Sequence, residues 1–153
     1  MSIKEKISSL GLSLPTAAAP VAAYVPAVKS GNLVFTAGQL PVVDGKLLKE
    51  GKVGRDVTAE DAKELAQICA LNALAAISLV ADLDQIERVV RVGGFVNCAP
   101  GFTAIPGVIN GASEFLIKIF GDVNGKHART AVGVAELPLN APVEVEVIVQ
   151  LKN

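Results

Sequence analysis

The chain has 153 residues, 51% of them hydrophobic, and a mean hydropathy of +0.49, which is ample material for the core of one domain over residues 1–153. The net charge is −1 and the pI about 5.8, so the sequence offers no basic field for nucleic acid and no basic helix for a membrane surface. Its N-terminus has no apolar segment typical of signal peptides, and two cysteines suit a reducing compartment. We therefore expect a cytoplasmic protein.

The N-terminal third predicts a short helix followed by a β-hairpin. Apolar residues at helical spacing run over 2–10 and stop at a glycine, which predicts a short N-terminal helix. An Ala-rich connector bracketed by Pro15 and Pro20 follows. Two β-type runs, 24–28 and 33–37, are separated by a Lys-Ser-Gly-Asn turn, which predicts a hairpin.

The centre of the chain predicts a second tight turn and the first long helix. Asp44-Gly45 is the strongest two-residue turn signal in the sequence, and the charged residues 46–56 predict a surface loop. Thr58 is the expected N-cap of a helix that runs to Val80, because its hydroxyl can accept a hydrogen bond from a free backbone amide. The apolar stripe along this helix includes Cys69, which we therefore expect in the core.

The next segment predicts a strand, an irregular loop and a second long helix. Residues 86–96 are rich in β-branched side chains and contain Gly93-Gly94, which leaves room for a close neighbour. The loop 98–106 then leads into a helix over 106–120, with a proline suited to its first turn and Gly121 suited to its end.

Residues 127–151 contain two alternating runs joined by a short turn, and they predict a closing hairpin. In the second run, alternate valines form one face and Glu144 and Glu146 lie on the other. In the first run, Arg129 shares a face with three small residues, opposite the bulkier Thr130, Val132 and Val134. If both bulky faces pack on the core, Arg129 and Glu144 lie on the same open face, where they could hold a small anion.

Together these elements predict an α+β fold in which a mixed sheet carries two long helices on one face. The other sheet face then has to meet solvent or another chain. Small and apolar residues are available to that face and favour a homo-oligomer: Gly93, Gly94, Ala131, Gly133, Ala135 and Ile148.

Three stretches carry a resemblance to a known family. They are SGNLVFTAGQLP (30–41), the Asn110-x-x-x-Glu114 helix start, and ARTAVGVAELP followed by VEVEVIV near the C-terminus. Together they resemble the RidA/YjgF family, whose older name is endoribonuclease L-PSP, from Val21 to Leu151. The order of the predicted elements agrees with that family.

The resemblance implies a chorismate mutase-like (YjgF-like) fold, assembled as a homotrimer with pockets in the clefts between subunits. It also implies hydrolysis of 2-imino or enamino acids to 2-keto acids and ammonia, without a cofactor or a metal. The implied partner is a small carboxylate-bearing molecule, while the net charge of −1 argues against nucleic acid and a membrane surface as partners. The helix over 2–10 and a longer 98–106 loop depart from the family pattern and indicate a divergent branch.

Carried over position by position, the resemblance assigns two residues to catalysis. Arg129 corresponds to the arginine that binds the substrate carboxylate, and Glu144 to the glutamate that positions water. Tyr24, the only tyrosine, and Asn110 correspond to residues of the implied pocket. Gly38 and its neighbouring backbone amides could also bind the ligand.

Two pocket positions depart from the deaminase pattern. Ala37 stands where the family has a serine, and Ala131 where it often has a cysteine. Cys98 ends a strand beside the long loop and could replace the missing thiol. His127, the sole histidine, cannot build a metal site alone, and we expect it on the surface.

Each candidate also has a plain structural interpretation. Arg129 could form an interfacial ion pair with Glu144 or Glu146, and the pattern does not choose between these two glutamates as the residue that positions water. Asn110 could cap the second long helix. Tyr24 could be a partly buried core residue with its hydroxyl outward.

Three functions therefore compete. The first is an imine or enamine hydrolase of the RidA type. The second is a non-catalytic carboxylate-binding or regulatory module, favoured because Ala37 and Ala131 remove polar groups while Arg129 stays. The third is the ribonuclease of the older family name, which conflicts with a net charge of −1 and a single tyrosine, since RNA binding needs a basic track and stacking aromatics.

Overall fold

The computed structural model describes residues 1–17 and 23–153, so the connector predicted between Pro15 and Pro20 lies partly outside the described residues. The helices are α1 (Ile3–Ser9), α2 (Ala59–Ile77) and α3 (Ile105–Asn124). The strands are β1 (Ala27–Ser30), β2 (Leu33–Thr36), β3 (Val42–Val43), β4 (Lys46–Leu47), β5 (Ile86–Asn97), β6 (Ala128–Val134) and β7 (Val143–Leu151). Within the described ranges, no helix has both the length and the apolar character needed to cross a bilayer.

Five strands form one mixed sheet in the order β1-β2-β7-β5-β6, in which only the β5–β6 pair is parallel. The hairpin predicted over 24–37 is confirmed: β1 and β2 flank Gly31-Asn32, and Gly31 has a positive φ. The turn predicted at Asp44-Gly45 is also confirmed: both residues have positive φ, and the turn joins β3 to β4. The Thr58 hydroxyl accepts a hydrogen bond from Asp61 N–H (3.1 Å), as its capping role requires. Helical geometry in α3 is interrupted at Gly121, whose φ is 84°.

Both long helices lie on one face of the sheet, as the sequence predicts. The alternate valines of β7 are fully buried, and Cys69 of α2 contacts the backbone of Val143 (3.8 Å). On β5, a Cβ added at Gly94 would lie 2.6 Å from the Ile109 side chain of α3, and Gly94 pairs with Val145. The opposite face, which we call the open face, is not covered by any described helix.

The predicted closing hairpin is wrong. Strands β6 and β7 are not neighbours, because β5 lies between them and pairs with both. Helix α3 carries the chain from β5 to β6 as a parallel crossover, and β7 then returns between β2 and β5. The connection to β7 passes the end of β5, where the Asn97 side-chain amide donates to Asn140 Oδ1 and to the Ala141 carbonyl (both 3.2 Å).

The prediction of which β6 residues lie on the open face is also wrong. Arg129 and alternate residues face α3: a Cβ added at Gly133 would lie 3.0 Å from Cys98 Sγ and 3.1 Å from Ile105. The bulkier residues point to the open face, where the Thr130 hydroxyl accepts from Arg91 (2.8 Å). Helix α3 packs directly on β6, and a row of small residues allows this close approach. Gly94, Ala131 and Gly133 therefore face the helices, whereas Gly93 and Ile148 lie on the open face.

The stretch predicted as a surface loop over 46–56 is only partly one. Its first two residues form β4. Gly51 and Val53 are buried, and Val53 forms a β-bridge with Cys98 just beyond the end of β5. Lys52 binds Asn97 Oδ1 (2.7 Å), which fastens the loop to the sheet. The loop thereby closes one end of the core.

Candidate functional site

The Arg129 guanidinium is held by α3. Asn110 and Ser113 are three residues apart on that helix and so share a face. Arg129 Nη1 donates to Asn110 Oδ1 (2.8 Å) and to Ser113 Oγ (3.2 Å), and Nη2 donates to the Pro106 carbonyl (3.4 Å). Asn110 therefore binds Arg129 and does not cap α3, whose N-cap residue is Ala104.

None of these partners neutralises the positive charge of Arg129. All three acceptors are neutral, and no described carboxylate lies within 4.0 Å of the half-buried guanidinium. A guanidinium has five N–H donors, and three are used here. The Nε–H and the second Nη2–H have no acceptor among the described residues. Donors on these adjacent nitrogens match the two oxygens of one carboxylate.

His127 and Ser113 extend this network. His127 Nδ1 lies 2.6 Å from the Gly125 carbonyl, which can only accept, so the ring hydrogen is on Nδ1. Nε2 is then an acceptor for the Ser113 hydroxyl (2.9 Å). Burial lowers the pKa of His127 and the nearby Arg129 charge adds to this, although the Gly125 hydrogen bond opposes them. The expectation of a surface histidine is wrong, because the ring is half-buried and both of its nitrogens have hydrogen-bond partners.

Glu144 lies on the open face, over the backbone at Gly38. A Cβ added at Gly38 would lie 2.0 Å from Glu144 Oε1, so only glycine leaves room for this carboxylate. Glu146 lies in the same way over Gly93, where an added Cβ would be 2.7 Å from its Oε1. Burial raises the pKa of Glu144, and the charge of Glu146 raises it further. Glu144 is thus a stronger base than an ordinary exposed glutamate.

The remaining candidates lie at separate places in the fold. Ala131 follows Arg129 on the helix-facing row of β6, and Cys98 Sγ lies beside the next position of that row. Burial raises the pKa of the Cys98 thiol, so it is not a ready thiolate. Ala37 directly precedes Gly38 after β2. Tyr24 precedes β1 and is 52% exposed, so it is not a core residue.

One chain therefore does not bring its two catalytic candidates together. Arg129 faces the helices, whereas Glu144 is on the open face of the same sheet, so their predicted shared face is wrong. A cavity of 470 Å³ beside α1 touches neither residue; it is lined by Ser2, Lys6, Asp84 and Lys152 among others. Sequence reasoning missed Ser113, although its spacing from Asn110 was a usable signal.

The raised pKa of Glu144 predicts how its replacement changes stability. A carboxyl whose pKa is higher in the folded state stabilises that state when protonated, and this contribution is lost as the pH rises above the ordinary value of 4.5. We expect Glu144→Gln to raise the Tm at pH 7.5 by about 1–3 °C and to change it little near pH 4. Thermal unfolding at both pH values checks this. The control is Glu87→Gln, an exposed carboxylate on β5; an equal shift in both variants contradicts the prediction.

Comparison with known proteins agrees with this architecture. The sequence pattern of the YjgF/chorismate mutase-like, putative endoribonuclease family matches residues 4–151. Protein TCP17 of Trypanosoma cruzi is 41% identical over 152 residues, which are 99% of this chain and 95% of that protein. A 2-iminobutanoate/2-iminopropanoate deaminase of Dermatophagoides farinae is 32% identical over 141 residues, 92% of this chain and 95% of that one.

A solved structure extends the similarity to three dimensions. The protein Atu1372 of Agrobacterium tumefaciens is 43% identical, superposes with a TM-score of 0.88, and the match covers 98% of this chain and 92% of that one. The mixed sheet with three helices is thus an α+β, chorismate mutase-like fold. The resemblance read from the sequence is confirmed, and this chain belongs to the YjgF/chorismate mutase-like family.

Proposed function

We propose that this protein hydrolyses reactive 2-imino or enamino acids to 2-keto acids and ammonia, in a cleft between the subunits of a homotrimer. The observation that carries the proposal is the state of Arg129. Its half-buried guanidinium is fixed by three neutral acceptors and keeps two adjacent donors for a carboxylate. The family also contains proteins named as 2-iminobutanoate/2-iminopropanoate deaminases, which supports this substrate class.

The proposed reaction uses two groups. The substrate carboxylate binds the Nε–H and Nη2–H of Arg129, which orients the C=N bond. Glu144 takes a proton from a water molecule as the water oxygen bonds to C2, and its raised pKa makes it a better base. The nitrogen receives that proton, which completes the carbinolamine. The carbinolamine hydroxyl proton then passes to nitrogen, the C=O bond forms, the C–N bond breaks and ammonia leaves. An enamine first takes a proton on carbon to become the imine. Imines hydrolyse spontaneously, so orientation supplies much of what is needed.

A cleft between subunits explains why the two groups are apart in one chain. Strand β6 is an edge strand, so Arg129 lies near the rim of the sheet, whereas Glu144 lies on the open face. That face also exposes large apolar side chains, with Val28 51%, Phe35 40% and Val132 40% exposed. In a ring, the rim of one chain can meet the open face of the next. Such a contact would bury the apolar residues and bring Arg129 to Glu144.

A non-catalytic carboxylate-binding module is the second candidate. The specific observation is that Ala37, beside Gly38, and Ala131, beside Arg129, present methyl groups where the deaminase pattern has polar ones. The anion anchor would then act without groups that assist proton transfer. Under this candidate, 2-keto acids bind at Arg129 and are not produced.

The endoribonuclease name of the family receives less support. The chain has 14 basic and 15 acidic residues, and RNA binding relies on basic tracks and stacking aromatics. With a single histidine, acid–base cleavage would need Glu or Lys in place of a second one, and the ring nitrogens of His127 are already engaged by Ser113 and the Gly125 carbonyl.

The experiment is an assay of 2-keto acid release from freshly generated 2-aminoacrylate. A pyridoxal-phosphate dehydratase acting on serine supplies the substrate, and the increase in rate over buffer is measured. Acceleration supports the hydrolase. Tight binding of a 2-keto acid in calorimetry without acceleration supports the binding module, and the absence of both effects rejects the proposed function.

A further inference from the structure

The Nη1 end of Arg129 points away from the donors assigned to the substrate. Asn110 and Ser113 bind this end, whereas the available N–H groups lie on Nε and Nη2. Side chains at Nη1 therefore set the angle of the guanidinium without touching a carboxylate on the other edge. Ser113 is buried, at 9% exposure, so its hydroxyl must find partners within the protein.

We propose that Ser113 and His127 are positioning residues for Arg129, and that they act only while the His127 ring is neutral. The inference rests on the proposed function in one respect, that Arg129 binds the substrate carboxylate. A serine hydroxyl has one hydrogen, and neutral His127 accepts it at Nε2 (2.9 Å). The lone pairs of Ser113 Oγ are then free to accept from Arg129 Nη1 (3.2 Å).

Protonation of His127 would disrupt this arrangement of hydrogen bonds. Both ring nitrogens would then be donors, so the Ser113 oxygen would accept from Nε2 and its own hydrogen would lose its acceptor. A second cation would also be present close to Arg129. Both changes disturb the orientation of the guanidinium. Carboxylate binding should therefore weaken as the pH falls below the ordinary histidine value of 6.5, once the lowered pKa of His127 is reached.

The groups that face the His127 ring come from three elements. Helix α3 presents the neutral Ser113 hydroxyl, the turn before β6 presents the Gly125 carbonyl, and β6 presents the Arg129 cation. Arg129 is the charged group that acts on the ring among the described residues. The histidine is then the side chain of this network whose charge changes with pH, since the Arg129 guanidinium stays charged.

The first test needs no substrate. His127 is the sole histidine, so nitrogen-15 NMR of the tag-free protein gives one pair of imidazole signals. We expect the Nδ1–H tautomer, a changed Nε2 shift in Ser113→Ala, and a raised pKa in Arg129→Ala, which removes the neighbouring cation. An Nε2–H tautomer, or a ring unaffected by Ser113→Ala, overturns the proposal. Because this result is independent of turnover, it separates the network from the proposed function.

The second test measures the binding of a 2-keto acid by calorimetry and, where turnover is observed, KM and kcat. Ser113→Ala and His127→Leu should weaken binding about fivefold at pH 7.5 and leave kcat within about twofold. His127→Gln is the conservative variant, since its amide oxygen can replace Nε2 as an acceptor. It should keep wild-type binding and lose the weakening at low pH. Equal effects of Gln and Leu at position 127, or a wild-type pH profile in His127→Gln, overturn the proposal.

Discussion

Replacing Arg129 with alanine is expected to lower kcat/KM for a 2-imino acid, or the affinity for a 2-keto acid, by about thirtyfold to several thousandfold. A desolvated charge-assisted pair is worth roughly 2–5 kcal/mol when one partner is removed, and 1.4 kcal/mol is a factor of ten. Arg129→Lys should recover little of this. An ammonium group cannot present two parallel donors to a carboxylate while it also satisfies Asn110, Ser113 and Pro106.

The matched control for this change is Arg88→Ala. It removes the same charge from an exposed position on β5, so it should leave binding and turnover unchanged. Urea unfolding of both variants establishes that the fold is kept. Arg129 has no carboxylate partner within the described chain, so its loss removes no intrachain ion pair. Wild-type binding in a folded Arg129→Ala protein contradicts the proposed anchor.

Local signals in the sequence were sufficient for most helices and strands. A turn glycine, the Thr58 cap and the alternation along β7 each act within a few residues, and each is confirmed. Strand partners are not fixed by such signals. The alternation in 128–134 and 143–151 is compatible with a hairpin, but α3 docks beside α2 and delivers β6 to the outer side of β5. The strand pairing of β6 therefore depends on where α3 packs, and the periodicity of the sequence does not reveal that position.

The prediction of which side of β6 packs against the helices failed for a different reason. Bulky residues usually mark the buried side of a strand, yet here Val132 is 40% exposed and the small residues face α3. A helix packed close to a strand needs space, and Ala131 and Gly133 provide it. Arg129 is a site candidate because of its chemistry and the family resemblance. Its partner Ser113 is on another element, and the orienting role of His127 depends on a tautomer that only the Gly125 contact reveals.

A mixture of two inactive variants is expected to recover activity. Arg129→Ala lacks the anchor and Glu144→Gln lacks the base, so each protein alone should lose at least about 95% of the activity. In the proposed ring, every cleft takes Arg129 from one chain and Glu144 from the next. Random mixing of equal amounts then gives both native residues in roughly a quarter of the clefts. Co-refolding the two variants and measuring keto acid release, or keto acid binding sites, checks this value.

The control replaces one partner with the double variant. A mixture of Arg129→Ala with Arg129→Ala/Glu144→Gln contains no intact anchor, so it should stay inactive at any ratio. Native mass spectrometry shows whether mixed oligomers form. Mixed trimers without recovery would contradict the intersubunit cleft, because a site built within one chain cannot be restored by exchange. Recovery would in turn explain why Arg129 and Glu144 lie on opposite faces of one sheet: each face contributes half of a different cleft.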